Sequence, residues 1–294
     1  MSGGVSAARP DIAAVATLLK PITWFAPMWA FACGVVSAWQ PAAPHAAQIV
    51  LGVALVGPLV CGAGQAANDW YDRHVDAINE PGRPIPSGRI PGQWGLIIAL
   101  AWTAVSLAVA ASIGKICFAA ALVGLALGWA YSAPPLRLKR NGWWGNAACG
   151  ACYEGLPWIT GCTILTGGVP PVPVFAAAAL YSLGAHGIMT LNDFKSVEGD
   201  RAMGVGSLPV RLGIKRAAVV ACLMMAVPQG VVMVLLSIWG KPVAAALVGM
   251  VLFAQLLLMR RMLQKPRDLA AWYNGTGTSL YVLGMMVCAI ALRP

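Results

Sequence analysis

Charge is what this chain of 294 residues has least of: 10% of its residues are Asp, Glu, Lys or Arg, against roughly 25% charged residues in an average soluble domain. Hydrophobic residues make up 59%, and the mean hydropathy is +0.73. The shortage of charge excludes an ordinary water-soluble enzyme, and the excess of apolar residues excludes disorder and a collagen-like chain. A disulfide framework is missing as well, since the 8 Cys (33, 61, 117, 149, 152, 162, 222 and 288) are scattered through apolar runs. They read as small hydrophobes. Cys149-Gly-Ala-Cys152 has the form of a redox pair, but no redox-fold pattern surrounds it, so it reads as a small-residue packing stretch.

Long apolar runs are abundant. A membrane-crossing helix needs about 20 such residues, because it rises about 1.5 Å per residue across roughly 30 Å of hydrocarbon. Nine runs qualify, at 13–39, 46–67, 94–112, 115–133, 144–166, 172–192, 217–238, 242–263 and 271–292. Backbone polar groups in lipid must be satisfied within the segment, and these runs are too long for barrel strands, so all nine are expected to be helices. The fold class is therefore all-α: a polytopic membrane protein, one membrane-embedded domain whose helices surround a central cavity opening near the cytoplasmic side. The first run follows a short lead bearing Arg9 and has no convincing small-residue cleavage pattern, so it is expected to be a retained helix. With no Ser/Arg-rich transit peptide ahead of it, a bacterial inner membrane is the expected location. Trp39, Trp143, Trp144 and Trp239 stand near span ends as interfacial anchors.

The formal net charge is +10, which would suit nucleic acid, but topology accounts for it. Of the 20 Lys and Arg, 17 fall on the side holding the N-terminus and the loops after every second run, leaving Lys115, Lys241 and Arg293 for the other face. The positive-inside rule then places the N-terminus in the cytoplasm and the C-terminus outside, and no nucleic-acid partner is needed.

Acids gain little from topology, yet seven of the ten crowd into two clusters. The first is Asn68-Asp69-Trp-Tyr-Asp72-Arg73-His-Val-Asp76, with Glu80 beyond it, at the end of the second run. At about 100° per residue, positions 68, 69, 72 and 76 share an arc of roughly 100°, so their oxygens are expected to converge, with Gln65 one turn deeper. The second is Asn192-Asp193-Phe-Lys195-Ser196-Val-Glu198-Gly-Asp200 at the matching end of the sixth run, where 192, 193, 196 and 200 share a similar arc and Glu198 points elsewhere. Crowded carboxylates need cations, and hard oxygen donors without paired His or Cys suit Mg²⁺, which shares its coordination with substrate phosphates. Arg73, Arg83 and Arg89 beside the first cluster, and Lys195 and Arg201 beside the second, supply the other half of a phosphate site. Asn68 and Asn192 stand 124 residues apart, which suggests two four-helix units, about 13–133 and 144–263, plus a last helix.

These motifs, with Glu80-Pro-Gly-Arg83-Pro-Ile-Pro-Ser-Gly-Arg89 after the first and Ser207-Leu-Pro after the second, resemble the paired Asp-rich motifs of the UbiA family of intramembrane prenyltransferases. Their wording is most similar to that family's chlorophyll and bacteriochlorophyll synthase branch, over nearly the whole chain. The resemblance implies an Mg²⁺-dependent esterification of the propionate of (bacterio)chlorophyllide with geranylgeranyl or phytyl diphosphate. It implies Asn68, Asp72, Asp76, Asp193 and Asp200 as the metal-coordinating set, with Asp69 adjacent, and Arg73, Arg83, Lys139 and Lys195 as diphosphate contacts. Ser196 stands where some members carry an acid, which weakens the second ligand set. The resemblance also implies a photosynthetic membrane, and a segment over the site mouth that brings Tyr131 and Lys139 to the substrate.

Two intramembrane groups are left open. Glu154, deep in the fifth run, either pairs with a neighbouring helix or serves the substrate. His186, on the face of Asp193 and about 10 Å deeper, is either a hydrogen-bonded core histidine or a ligand to the pigment's magnesium. Gln65, Tyr131, Glu154, His186 and Asn192 are thus the candidate pocket residues. The competing functions are a prenyltransferase acting on an aromatic acid or on haem, and an ion-coupled transporter. Against the transporter, the acids crowd one face and no run is broken near the midplane.

Overall fold

The computed structural model describes residues 9–38, 40–41 and 43–293. Among these, regular structure is helical apart from a single bridge between Asn141 and Gly206. In chain order the elements are α1 (Ile12–Leu18), α2 (Phe25–Ser37), α3 (Ala43–Asn79), α4 (Trp94–Ile113), α5 (Lys115–Ser132), α6 (142–166), α7 (Val172–Asn192), α8 (Val197–Ala202), α9 (Leu208–Leu212), α10 (Ile214–Ile238), α11 (Pro242–Gln264) and α12 (Pro266–Ala291). Seven helices are long and apolar enough to cross a membrane, and α1 with the 21–37 segment passes as an eighth across a 43° bend. The expected ninth span, 144–166, is helical but falls short on apolarity. Its glycines, Asn146, Glu154 and Thr160 suit burial against protein, and most of Leu156–Thr166 is buried.

The expectation of unbroken spans fails in three places, each with a local cause. The first run turns at Lys20, whose φ of 48° is left-handed, because Pro21 disfavours helical backbone in the residue before it. Within α3 a π-helical stretch, Leu55–Cys61, surrounds Pro58, whose missing N–H breaks the regular ladder. Within α6 a second π stretch, Ala151–Gly155, lies between Gly150 and Gly155. Non-helical backbone at membrane depth survives where it is buried in protein or lines a cavity.

Small residues set the packing. A Cβ on Gly34 of α2 would lie 2.0 Å from the Trp158 carbonyl of α6, and one on Gly161 of α6 would lie 2.1 Å from the Phe31 carbonyl of α2. The two backbones therefore touch through reciprocal glycines, the close approach that holds membrane helices together without a hydrophobic driving force. Gly150 plays the same part between α6 and α7, where a Cβ would meet the Ser182 carbonyl at 2.4 Å. That agrees with reading the 149–152 stretch as packing. All eight cysteines are free thiols.

Charge sorts between the two ends. Lys241 Nζ donates to the Arg293 carbonyl (3.1 Å) and Arg293 Nε to the Val36 carbonyl (3.3 Å), so these cations gather at the end where α2 finishes. The acid-bearing ends of α3 and α7 lie at the other. There the loops after α5 and α8 are stitched together by Gly142 N–H donating to the Gly206 carbonyl (2.9 Å) and Gly206 N–H to the Arg140 carbonyl (3.0 Å). Trp39 lies outside the described residues. Trp144 is 66% exposed, as an interfacial anchor would be, while Trp143 packs its ring on His186.

Candidate functional site

The last three turns of α3 present the first acidic cluster, and the structure divides its arc in two. At one edge Asn68 Nδ2 donates to Asp72 Oδ2 (3.1 Å) and to Ser132 Oγ at the end of α5 (3.0 Å), while Lys139 forms an ion pair with Asp72. At the other edge Asp69, 2% exposed, accepts from Lys20 Nζ (2.6 Å) and Arg83 Nη1 (3.2 Å), and Arg83 also reaches Asp76 Oδ2 (2.9 Å). Arg83 is itself braced by Glu80 through two hydrogen bonds of 2.8 and 2.7 Å. Burial works against the Arg83 charge, but Glu80, Asp69 and Asp76 outweigh it and hold the guanidinium above its ordinary value. The same fork pulls Glu80 below the usual carboxylate range. Burial lowers the Lys139 ammonium, and Asp72 opposes that shift in part. A cavity of about 390 Å³ opens beside this edge, lined by Thr17, Lys20, Asp69, Glu80, Gly82, Arg83 and Pro84.

The second cluster is not one helical arc. α7 ends at Asn192, residues Asp193–Lys195 form a 3-10 turn, and α8 starts anew after Ser196. Ser196 Oγ bonds back to the Asp193 carbonyl at 3.2 Å, a local bond of the kind that competes with helix continuation. Asp193 consequently turns toward α6, accepting from Asn146 Nδ2 (3.3 Å), while Asp200 accepts from Ser207 Oγ (2.7 Å) and Ser196 Oγ (3.1 Å). Asn192 is half-buried at the helix end. Glu198 is exposed and pairs with Arg267, in keeping with its outward reading.

Both clusters occupy the same end of the bundle. Asn79 Nδ2 reaches Met203 Sδ at 3.8 Å, Glu80 lies within electrostatic range of Lys195, and Tyr131 lies within range of both Asp72 and Asp193. Tyr131, at the end of α5, therefore stands near both carboxylate groups. The basic residues separate into two sets. Lys20, Arg83 and Lys139 sit on the acids. Arg73 instead folds back over Trp70, its guanidinium 4.0 Å from the ring and bonded to the Trp70 carbonyl, and so does not face the cluster. It stands outside the acidic arc because it is one residue past Asp72. Arg89 is exposed and closes the 80–92 loop through the Gly82 carbonyl (3.0 Å), while Lys195 and Arg201 are exposed at the rim.

Among the described residues no three acidic, His or Cys side chains stand close enough together to hold one ion. The expected convergence of the 68, 69, 72 and 76 oxygens on one point is thereby corrected, because Lys20, Arg83 and Lys139 draw the carboxylates to two edges. The donor set nonetheless fits a hard divalent cation. Every donor in the two clusters is oxygen, Asp193 and Asp200 are held by amide and hydroxyl groups, and Asp69 Oδ2 is buried with no hydrogen-bond partner.

Gln65, one turn below Asn68, donates to the Tyr153 hydroxyl at 2.9 Å. Glu154, 3% exposed, turns to other neighbours, within range of Cys33 and Tyr281, and its Oε2 has no partner. His186 is 3% exposed under the Trp143 ring at 5.4 Å, beside Thr190, and its Nε2 is unpartnered. Sequence reasoning missed Lys20, Ser132, Asn146, Tyr153 and Ser207. Of these Lys20 left a signal, a cation within an apolar run and directly before Pro21, and Ser207 left one as part of the Ser-Leu-Pro motif, without a role assigned to it.

Fold and site together define a helical membrane protein that assembles carboxylates and cations at one end of its bundle. The UbiA prenyltransferase family model matches residues 17–292. The chain is 55% identical over 284 residues to the bacteriochlorophyll synthase 33 kDa chain of Cereibacter sphaeroides, covering 97% of this chain and 94% of that protein. It is 39% identical to the chloroplastic chlorophyll synthase of Arabidopsis thaliana, covering 93% of this chain and 73% of that protein. In fold it is similar to a UbiA homolog from Archaeoglobus fulgidus bound to GPP and Mg²⁺, with a TM-score of 0.70 at 22% identity over 91% of this chain and 99% of that one. The chain belongs to the UbiA prenyltransferase family.

Proposed function

We propose that this membrane prenyltransferase esterifies the propionate of (bacterio)chlorophyllide a with geranylgeranyl or phytyl diphosphate and releases diphosphate, a late step in (bacterio)chlorophyll synthesis. The observation that carries the reading is the meeting of the two acidic clusters at one end of the bundle, with Tyr131 in range of both and Lys20, Arg83 and Lys139 among them. The pigment acceptor rests on the identity to the synthases named above.

Asn68, Asp72, Asp76, Asp193 and Asp200 are the residues that would hold Mg²⁺, with Asp69 as a buried charge beside them. Bound there, the ion would supply neutralisation of the diphosphate as its C–O bond breaks. Arg83 and Lys139 meet the same developing charge with fixed donors in a site poor in water. The allylic centre left behind is open to hydrolysis, so the bundle must keep water out, and the isoprenoid tail lies along its apolar interior. The acceptor needs no strong base, because a propionate is already ionised at neutral pH. That favours a carboxylate acceptor over an aromatic ring, from which a proton would have to be removed. Glu154, the one acid deep in an apolar run, lies within electrostatic range of Cys33 and Tyr281.

The basic end is taken as cytoplasmic, which places the N-terminus inside and the C-terminus in the periplasm of a photosynthetic bacterial membrane. The two four-helix units and a last helix remain our reading of the domain. The deciding experiment supplies purified protein in nanodiscs with both donors and, separately, chlorophyllide, bacteriochlorophyllide, an aromatic acid and haem. Esterified pigment and free diphosphate, formed only with Mg²⁺, are expected. Prenylation of another acceptor alone would overturn the assignment.

A further inference from the structure

Three irregular stretches of backbone meet beneath the acids. Thr23 belongs to the 3-10 turn Pro21–Trp24, Cys61 closes the π stretch of α3, and Tyr153 lies in the π stretch of α6. Their side chains form one polar chain. Thr23 Oγ1 is 3.4 Å from Cys61 Sγ, which is 3.8 Å from the Tyr153 hydroxyl, and Gln65 Nε2 donates to that hydroxyl at 2.9 Å. π turns inside helices recur at functional sites, and broken backbone at membrane depth is tolerated where it lines a cavity. Thr23, Cys61, Gln65 and Tyr153 are each half-buried, and a Cβ on Gly64, next to Gln65 in the chain, would meet no atom within 4 Å.

Depth fixes what this polar chain can reach. Gln65 is three residues below Asn68, about 4.5 Å at 1.5 Å per residue. Tyr153 therefore lies just beneath the carboxylates, at the level where the first carbon of a bound prenyl diphosphate would sit. The Tyr153 oxygen already accepts from Gln65, so its own proton is free to be donated. A phenol donor suits a carboxylate, which only accepts.

We infer that Tyr153, oriented by Gln65 and Cys61, binds the acceptor's carboxylate and thereby selects an acid as the nucleophile. One carboxylate oxygen takes the Tyr153 hydrogen bond, the other forms the new C–O bond, and diphosphate leaves with the electron pair of the bond it breaks. No proton changes owner. The inference rests on the proposed pigment acceptor.

The test compares binding of bacteriochlorophyllide a and of its methyl ester to protein in nanodiscs, read by pigment fluorescence, together with steady-state kinetics. Wild type should prefer the acid. Tyr153→Phe should lose on the order of tenfold to a hundredfold in acid affinity, the range for a hydrogen bond to a charged group. Its ester affinity and its KM for the prenyl diphosphate should not move. Gln65→Met, which keeps the phenol and removes its orienting donor, should lose acid preference by a smaller factor. Equal binding of acid and ester by wild type overturns this inference alone, as does a Tyr153→Phe protein that keeps the preference or weakens donor binding. Failure of wild type to bind either pigment overturns the acceptor reading first, and this inference with it.

Discussion

Asp69 shows how a charge is kept inside this protein. Its carboxylate is 2% exposed and held by Lys20 and Arg83, and removing one partner of a buried pair strands the other. Lys20→Met should therefore destabilise by on the order of 2 kcal/mol, less than the 3–5 of a fully orphaned charge because Arg83 remains. The Lys20→Met/Asp69→Asn double variant should recover most of the lost melting temperature, and a double variant worse than the single would contradict the pairing. Glu80 acts more weakly, since its side chain is 58% exposed. Arg83 lowers its pKa, so the brace is present above the unfolded value of about 4.3 and is lost as pH falls through the lower folded value. Wild type and Glu80→Gln should differ slightly in melting temperature at pH 7, and the gap should close below about pH 4. The acidic residues were legible from the chain because i, i+4 spacing needs no tertiary knowledge. Their partners were not: Lys20 lies 49 positions from Asp69 and Lys139 lies 67 from Asp72. Arg73 misled for a related reason, since sequence proximity to an acid does not fix a long side chain that has an indole to stack on.

At the scale of elements, positions of the helices followed from apolar length, while their breaks followed from single residues. Pro21 and Pro58 could have been read as breakers; the π stretch at 151–155 had only its flanking glycines. The turn after Asn192 was hidden because Asp-x-x-Ser-x-x-x-Asp suits a helix face as well as it suits a capped loop. Two substitutions test how these elements act. Gly161→Leu drives a side chain into the Phe31 carbonyl, where the clash is with backbone and nothing flexible can yield. It should cost several kcal/mol, seen as loss of folded protein in detergent. Gly64→Phe enters open space instead. It should leave the melting temperature within a few degrees and abolish turnover by filling the open space next to Gln65. An active Gly64→Phe protein would place the substrate elsewhere.

For the whole molecule, the architecture brings together two helix ends that are 124 residues apart in sequence, and the segments beyond them touch where Asn79 reaches Met203. If the two clusters grip one diphosphate, they act as a unit, and the effects of losing them cannot add. The decisive measurement is the rate of pigment ester formation by Asp72→Asn, Asp193→Asn and the double variant in nanodiscs with saturating Mg²⁺. The account predicts that each single variant is nearly as slow as the double. Free-energy losses that simply sum in the double variant would mean that the two ends work on separate ligands, and would contradict the shared grip.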